Sequence, residues 1–264
     1  MDYALYTLDD SPWFEWIQLA SADSTNNFLK HYHPVTPKDM TLATAEYQTA
    51  GRGQAGHPWE SETGKNLLFS LKIHPREINA ARQFVISQAI ALAVCETLAE
   101  YGDGFSIKWP NDIYWQDRKI CGMLIENTLM GQHIEDCIIG VGLNVNQTVF
   151  WSDAPNPVSL CQVTGKTHET VFILAAVIKR FKNFWQKLQK EDTDEIARHY
   201  ASRLYRREGF HRYEDSDGCF EAEIHEVEPS GHLVLADRNG RLRRYAFKEV
   251  RFLAPNDKQD FSNL

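Results

Sequence analysis

ATAEYQTAGRGQAGHPW, residues 43–59, is the stretch that says most about this chain. Three of its glycines (Gly51, Gly53 and Gly56) follow a strand-like run and precede Trp59. Glycines at this density let a backbone turn tightly around a ligand and point its N–H groups inward. Arg52 adds a planar cation that suits a phosphate or a carboxylate. The alternative is a plain glycine turn between strands, and the loop alone does not decide between the two.

Two further clusters favour an anionic ligand. KWPND, residues 108–112, is followed by KICG, residues 119–122, on the far side of a predicted hairpin. Lys119 there could neutralise a carboxylate and a phosphate brought together, and Asp112 could hold Mg²⁺ or orient the lysine. Two surface lysines beside a hairpin are the alternative. The loop lacks the G-K-[ST] ending of a P-loop and the strand–loop–helix context of a dinucleotide site.

Two more segments contribute polar groups and glycines. Ser24-Thr25-Asn26 can cap a helix or donate hydrogen bonds to a polar ligand head, and Gln48 could bind a urea-like group. GVGLNVN, residues 140–146, is predicted to be a strand whose glycines permit the close approach of a ligand or of another backbone. A flat sheet packed against a helix explains those glycines equally well.

Composition excludes several classes of protein. The net charge of -8 argues against a surface that neutralises nucleic-acid backbone. Five cysteines without a C-x-x-C pair indicate reduced thiols, with neither disulfides nor a structural zinc site. The first residues show no secretory signal, and the longest apolar runs look too short to span a membrane. We therefore expect a cytoplasmic protein that binds neither nucleic acid nor membrane.

Hydrophobic patterning predicts an α+β fold. Strands are predicted at 13–19, 40–48, 66–74, 105–109 and 137–145, with a hairpin over 113–126 that turns at 116–118. Helices are predicted at 78–101, 170–189 and 193–204. The irregular order of these elements favours a mixed or largely antiparallel sheet over a doubly wound one. From about Gly209, short alternating runs predict a small β unit of roughly 45 residues that docks on the main domain.

Taken together and in this order, these segments resemble the catalytic core of the biotin protein ligases. The resemblance implies a mixed sheet with packed helices, as in class II synthetases, followed by a small SH3-like β-barrel. It divides the chain into a catalytic domain over residues 1–206 and a C-terminal domain over 207–264. It also implies a short form without an N-terminal DNA-binding domain, present as a monomer or a homodimer.

The resemblance implies a two-step reaction. ATP and biotin form biotinyl-5′-AMP with help from Mg²⁺, and a lysine of a biotin carboxyl carrier protein then takes the biotin. The implied catalytic residues are Arg52, Asp112 and Lys119, with no protein-bound metal site. The implied biotin contacts are Ser24, Thr25, Asn26, Gln48, Gly51, Arg52, Gly53, Gln54, Lys119 and Gly122. The implied ATP or adenylate contacts are Arg52, Gly53, Gln54, Trp59, Asn111, Lys119 and Asn144.

This chain departs from the family pattern at the tip of the glycine loop. Many members carry an arginine where Gln54 stands, and a further one near His57. Replacing a charge-assisted contact by an amide costs about 1–3 kcal/mol. We therefore expect this chain to retain biotinyl-5′-AMP less tightly unless another cation compensates.

Two rivals remain at this stage. A lipoate or octanoate ligase or transferase shares the fold, and Cys121 beside Lys119 makes a thioester route imaginable, although a small buried residue packed on Gly122 explains Cys121 as well. The glycine loop with Trp59 favours biotin. A non-catalytic module that binds biotin or a carrier is the other rival, and the intact Arg52, Asp112 and Lys119 argue against it.

Overall fold

The computed structural model describes residues 3–6, 14–36, 38–53, 58–151, 156–190 and 192–253. Within 3–6 it describes only the backbone. Gln54 and His57, which we singled out in the glycine loop, lie outside these ranges.

The main sheet is mixed and has eight strands. The strands are β1 (Tyr3–Tyr6), β2 (Phe14–Ala22), β3 (Met40–Gln48), β4 (Leu67–Ile73), β5 (Phe105–Lys108), β6 (Asp112–Trp115), β7 (Arg118–Met130) and β8 (His133–Leu143). Their spatial order is β1-β2-β3-β4-β8-β7-β6-β5. β2 and β3 run parallel, whereas every other neighbouring pair is antiparallel. The α+β prediction with a mixed sheet is therefore confirmed.

Helices cover both faces of this sheet. They are α1 (Thr25–His31), α2 (Phe84–Leu98), α3 (Leu160–Thr164), α4 (Thr170–Leu188) and α5 (Asp194–Ser202). Alternation along β4 separates the two faces, because Phe69, Leu71 and Ile73 join the large core around α2, whereas Ser70 faces α1. α4 and α5 pack against α2 on that first face. The other face, around α1, carries the polar residues of the site.

Helix α2 is the buried axis of the core. The sequence predicted one helix over 78–101, but the α-helix covers only Phe84–Leu98, with 3₁₀ turns at Ala80–Arg82 and Ala99–Tyr101. Contrary to our expectation from the apolar runs, Ala80–Tyr101 is long and apolar enough to cross a membrane by composition, with a mean hydropathy of 1.3. However, 72% of that window is buried inside the protein. A helix that is apolar all round and enclosed by α4, α5 and the sheet is a core helix.

The C-terminal β unit is a five-stranded antiparallel sheet. Its strands are β9 (His211–Asp215), β10 (Gly218–Val227), β11 (Leu233–Asp237), β12 (Leu242–Tyr245) and β13 (Arg251–Phe252), in the order β12-β11-β10-β9-β13. It docks on the main domain, since Trp109 Nε1 donates to Gly231 O at 2.9 Å and the Trp109 ring lies 5.4 Å from that of Phe247. A small docked β unit was predicted correctly, although β9 and β13 were missed. The domain division at residue 206 stays a prediction.

All five cysteines are free thiols. Cys121 is fully buried in the core, and this burial strongly raises the pKa of its thiol. Its position in the core supports the interpretation of Cys121 as a packing residue.

Candidate active site

The face of the main sheet that packs against α1 has a patch of glycines, without side chains, at its centre. Gly122 on β7 and Gly142 on β8 stand directly opposite each other. A Cβ atom on Gly142 would lie 2.4 Å from Trp59 Cε2, and one on Gly122 would lie 2.9 Å from Trp59 Cζ3. The two glycines therefore allow the Trp59 indole to lie directly against the sheet. We call Gly122, Gly140 and Gly142 the glycine platform.

The third glycine of the platform makes room for α1. A Cβ atom on Gly140 would lie 2.3 Å from Asn26 Oδ1, so only glycine lets this side chain reach the sheet. Asn26 Nδ2 in turn donates to Glu126 Oε2 at 2.8 Å. The sequence predicted that these glycines permit a close approach. The structure shows that two side chains, Asn26 and Trp59, make that approach.

The first turn of α1 is tied to β3 and β4 by a buried polar network. Gln48 Oε1 accepts from Thr25 N at 2.7 Å and from Thr25 Oγ1 at 3.1 Å. Ser70 Oγ lies 2.6 Å from both Thr25 Oγ1 and Asn26 Oδ1. Ser24 is the N-cap residue, yet its side chain makes no capping hydrogen bond. Capping therefore does not account for the Ser24 hydroxyl, which supports its assignment to a ligand.

Ser70 is a site residue that the sequence analysis missed. We expect Ser70→Ala to weaken severalfold the binding of biotin, the ligand that the sequence resemblance implies, because it removes the hydroxyl between Thr25 and Asn26. Loss of a buried hydrogen-bonding partner should also lower the free energy of unfolding by about 1–3 kcal/mol. Calorimetric titration with biotin and urea denaturation measure the two effects. Unchanged affinity would show that the network does not orient the ligand-binding groups.

Lys119 and Asp112 form an ion pair beside the platform, with Nζ and Oδ1 2.8 Å apart. Asp112 stands opposite Gly122 in the β6–β7 register, so both point to the same face. A β-bulge brings Lys119 to that face as well: the pairing slips between Ile113 and Tyr114, which leaves Ile120 as the extra residue. Without it, the three-residue separation would put Lys119 and Gly122 on opposite faces. The bulge therefore aims the lysine at the platform.

The backbone of Lys119 is held by the segment before α3. Lys119 N donates to Asn156 O at 3.0 Å, and Val158 N donates to Lys119 O at 2.9 Å. Asn144 fixes this segment, because its buried Nδ2 donates to Val158 O at 3.2 Å while its backbone N donates to Ile120 O at 2.9 Å. Asn144 therefore holds in place the segment that bonds to the Lys119 backbone.

Two other residues of the KWPND cluster flank Asp112. Asn111 exchanges hydrogen bonds with the backbone of Met123, which fixes the turn that leads into β6. Lys108 stands opposite Asp112 on β5, and its Nζ donates to Tyr114 Oη at 3.0 Å. Burial lowers the pKa of Lys108 even though the charge of Asp112 opposes the shift.

Arg52 contacts Glu126, which lies farther along β7 than Lys119. Its guanidinium donates to Asn27 Oδ1 at 2.7 Å and pairs with Glu126 Oε2 at 3.2 Å. Lys30 Nζ lies 2.6 Å from the second oxygen of Glu126. Burial raises the pKa of Glu126, but hydrogen bonds from Lys30 and Asn26 together with the charge of Arg52 outweigh it and lower the pKa overall. Glu126 could not be predicted as part of this cluster, since a lone glutamate on a strand is common.

The glycine loop closes on itself at its base. Trp59 N donates to Gly51 O at 2.9 Å, and Arg52 bridges to Pro58 across the loop. A Cβ atom on Gly51 would lie 2.7 Å from Trp59 O, so this position also requires glycine. Gly53 is the last residue of the loop that the structure describes before Pro58.

The stability of the Glu126 cluster should depend on pH. A carboxylate whose folded pKa lies below its ordinary value of 4.5 stabilises the fold above that value, and the stabilisation is lost as the pH falls through the folded pKa. We expect the wild type to melt above Glu126→Gln at pH 7, and this gap to shrink as the pH is lowered from 4.5 to 3. Thermal denaturation of both proteins across this range measures the gap. A gap that stays constant would contradict the ion pairing.

Comparisons with known proteins show what this chain is similar to. The model of the Biotin/lipoate A/B protein ligase family matches residues 19–144. The Bifunctional ligase/repressor BirA of Escherichia coli is 38% identical over 124 residues, covering 47% of this chain and 38% of that protein. The Biotin--[acetyl-CoA-carboxylase] ligase of Paracoccus denitrificans is 27% identical over 241 residues, covering 84% of this chain and 95% of that protein.

A solved structure extends the likeness to the whole fold. The biotin protein ligase from Aquifex aeolicus, solved in complex with biotin and ATP, superposes with a TM-score of 0.74 at 27% identity. The match covers 90% of this chain and 99% of that one.

The stretch that matches the Biotin/lipoate A/B protein ligase family, residues 19–144, contains the platform, Trp59 and the Lys119–Asp112 pair. It makes up a little less than half of the chain, and the fold as a whole is similar to that of the solved biotin protein ligase. The chain spans about half or less of the length of the first curated relatives that it matches. The activity of the whole protein is therefore taken up as a proposal.

Proposed function

We propose that this protein is a ligase that activates biotin with ATP and transfers it to a lysine of a biotin carboxyl carrier protein. The observation that carries the proposal is the position of the Lys119–Asp112 pair. It lies at the edge of the glycine platform, where Lys119 Nζ is 3.4 Å from the position of a Cβ atom on Gly122 and 5.8 Å from the centre of the Trp59 ring. A flat ligand would bind beside the Trp59 indole and Asn26, which lie directly on the platform, and the Lys119–Asp112 pair and the first turn of α1 would supply charge and hydrogen bonds around it.

In the first step a carboxylate oxygen of biotin attacks the α-phosphorus of ATP, and pyrophosphate leaves with the bonding electrons. This step brings two anions into contact, so fixed positive charge must offset their repulsion. Lys119 supplies it after exchanging its bond with Asp112 for one with the substrate oxygens. Arg52 supplies it once the guanidinium leaves Glu126 and turns with the glycine loop toward the adenylate.

The ring head of biotin is assigned to the first turn of α1. Gln48 Oε1 accepts from Thr25, and this bond turns Gln48 Nε2 toward Gly51 and the loop. An amide N–H there suits a carbonyl oxygen of a urea-like ring. Ser24, Thr25 and Asn26 supply further short polar groups close to the sheet.

In the second step the amine of the carrier lysine attacks the carbonyl carbon of biotinyl-5′-AMP. An amide bond forms, the bond to the phosphate oxygen breaks, and AMP leaves. Only the neutral amine is nucleophilic, so a nearby carboxylate that accepts its hydrogen bond assists the attack. We assign this role to Asp112, whose carboxylate is freed when Lys119 turns to the substrate oxygens.

Mg²⁺ accompanies ATP in this proposal. Among the residues that the structure describes, no group of three or more His, Cys, Asp or Glu side chains is arranged to hold a metal ion. Mg²⁺ is commonly held by one or two carboxylates together with the phosphates of its nucleotide. Asp112 is the carboxylate beside Lys119, so a metal here would lie mainly on the phosphates and offset their charge.

The proposal is tested by incubating the protein with ATP, a purified carrier domain and either labelled biotin or labelled lipoate. We expect pyrophosphate release that depends on biotin and a stable label on the carrier lysine. Label from lipoate alone would assign the chain to the lipoate branch of the matching family. Binding of biotin without pyrophosphate release would make the protein a non-catalytic module. We further propose that it works in the cytoplasm, as a monomer or a homodimer.

Position 54 gives a separate prediction about the intermediate. We expect Gln54→Arg to slow the dissociation of biotinyl-5′-AMP by about tenfold, because a charge-assisted contact replaces that of a neutral amide. Release of radiolabelled intermediate, followed by rapid gel filtration, measures the rate. No change would show that another cation already fills this role.

A further inference from the structure

We propose that Gln147 and Glu60 are positioning residues that join the two halves of the site, so that binding of the acid and binding of the nucleotide strengthen each other. One half is the 59–66 segment, which begins with Trp59. The other is the 144–151 segment, which follows β8 and is tied to Lys119 through Asn144. The inference deepens the proposed function and rests on it.

The amide of Gln147 is the centre of this connection. It is fully buried, and its Oε1 accepts from Glu62 N at 3.0 Å and from Asn66 Nδ2 at 2.6 Å. Its Nε2 donates to Glu60 Oε1 at 3.0 Å and to Val149 O at 2.9 Å. A primary amide has two donor hydrogens and two acceptor lone pairs, and here all four are used. Three of the four bonds cross between the two segments.

Glu60 bonds to the 144–151 segment at a second residue besides Gln147. Its carboxylate oxygens also accept from Trp151 N at 3.0 and 3.1 Å. Asn66 Oδ1 accepts from Val145 N at 3.0 Å, and Lys65 O accepts from Asn146 N at 2.8 Å. The two segments are therefore bonded together along most of their length.

Both proposed binding elements lie next to this connection. Glu60 directly follows Trp59, whose indole covers the platform. Gln147 lies three residues after Asn144. Asn144 donates to Ile120 O and to Val158 O; Ile120 follows Lys119 in the chain, and Val158 bonds to the Lys119 backbone. A buried amide that loses one partner leaves an unsatisfied polar group, so the bonds of Gln147 favour one joint arrangement of both segments. A ligand that fixes Trp59 therefore also fixes the support of Lys119.

The measured quantity is a coupling ratio. It is the dissociation constant of biotin alone divided by that of biotin with saturating α,β-methylene-ATP, in which the bond broken by adenylation is blocked. Isothermal titration gives both values. We expect Gln147→Leu to lower this ratio by about tenfold, within the usual range of coupling between two sites. Affinity for biotin alone should change much less.

A control variant distinguishes a loss of coupling caused by Gln147 from the effect of removing any side-chain amide. Gln162 lies in α3, beyond the 144–151 segment, and its bonds run to Ser159 N and to Thr148 O instead of to residues 59–66. We expect Gln162→Leu to leave the coupling ratio at the wild-type value. An equal fall in both variants would overturn the inference.

Exchanging the two side chains, with glutamine at 60 and glutamate at 147, tests the pair directly. This test does not require that Gln147→Leu folds. Gln147→Glu alone breaks the bond between the two positions, because it sets two carboxylates against each other, whereas Glu60→Gln alone keeps an acceptor oxygen facing Gln147 Nε2 and should cost much less. The double variant restores a donor at 60 facing an acceptor at 147, so we expect it to recover at least half of the loss on a logarithmic scale. Additive losses in the double variant would show that the two residues act independently.

The outcomes separate this inference from the proposed function. If the wild type releases no biotin-dependent pyrophosphate, the proposed function fails, and the inference falls with it. If pyrophosphate is released but the coupling ratio does not respond to either variant of Gln147, the inference alone fails.

Discussion

Lys119→Ala should lower biotin-dependent pyrophosphate release by at least about tenfold. Lys119 is the cation beside the platform, and its Nζ lies 3.4 Å from the position of a Cβ atom on Gly122. Without it, the Asp112 carboxylate would lose its ion-pair partner at 2.8 Å where two substrate anions must meet. The initial rate at saturating biotin and ATP measures the loss.

Two controls accompany this variant. Lys179→Ala removes an exposed lysine from α4 and should leave the rate unchanged. Lys119→Arg keeps the charge but changes its geometry, so it should recover part of the activity. The melting temperature of Lys119→Ala should stay close to that of the wild type, because the ion pair is partly exposed. Full turnover by a folded Lys119→Ala protein would remove this lysine from the mechanism.

Gly142→Ala should reduce kcat/KM for biotin on the order of tenfold to a hundredfold. The new methyl group would lie 2.4 Å from Trp59 Cε2 and 2.6 Å from Trp59 Nε1, so the indole must leave the platform. Overpacking of this kind typically costs about 1–3 kcal/mol, and here the displaced group is the proposed wall of the ligand site. Steady-state kinetics measure the change, and quenching of tryptophan fluorescence by biotin reports the position of the indole.

Gly131→Ala is the matched control for this substitution. Gly131 lies at the tip of the β7–β8 hairpin with φ +63°, and a Cβ atom there would meet nothing within 4 Å. Alanine at that φ should cost some stability without any effect on the site. If both variants lost activity equally, general destabilisation would explain the loss and the platform would have no special role.

The structure could be predicted from the sequence where the conformational preference of a residue is local. Alternation placed Phe69, Leu71 and Ile73 on the core face of β4, and the strand at 40–48 was predicted with its observed ends. The turn before Asp112 followed from Pro110 and Asn111, whose conformational preferences are local.

The sequence was insufficient where geometry depends on partners far along the chain. The bulge at Ile120, which aims Lys119, arises from the pairing of two strands and leaves no mark in hydrophobic periodicity. Ser70 and Gln147 are ordinary polar residues until the fold brings them to Asn26 and Glu60. The 3₁₀ turn before α2 was taken for α-helix, because one short turn does not change the apolar pattern enough to be distinguished.

The most direct test of the account is a crystal structure with biotin and α,β-methylene-ATP bound together. The account predicts a biotin carboxylate oxygen about 3 Å from Lys119 Nζ, the ring head against the first turn of α1, and the Trp59 indole beside the ligand over the platform. Biotin bound on the opposite face of the sheet, or with its carboxylate out of reach of Lys119, would contradict it.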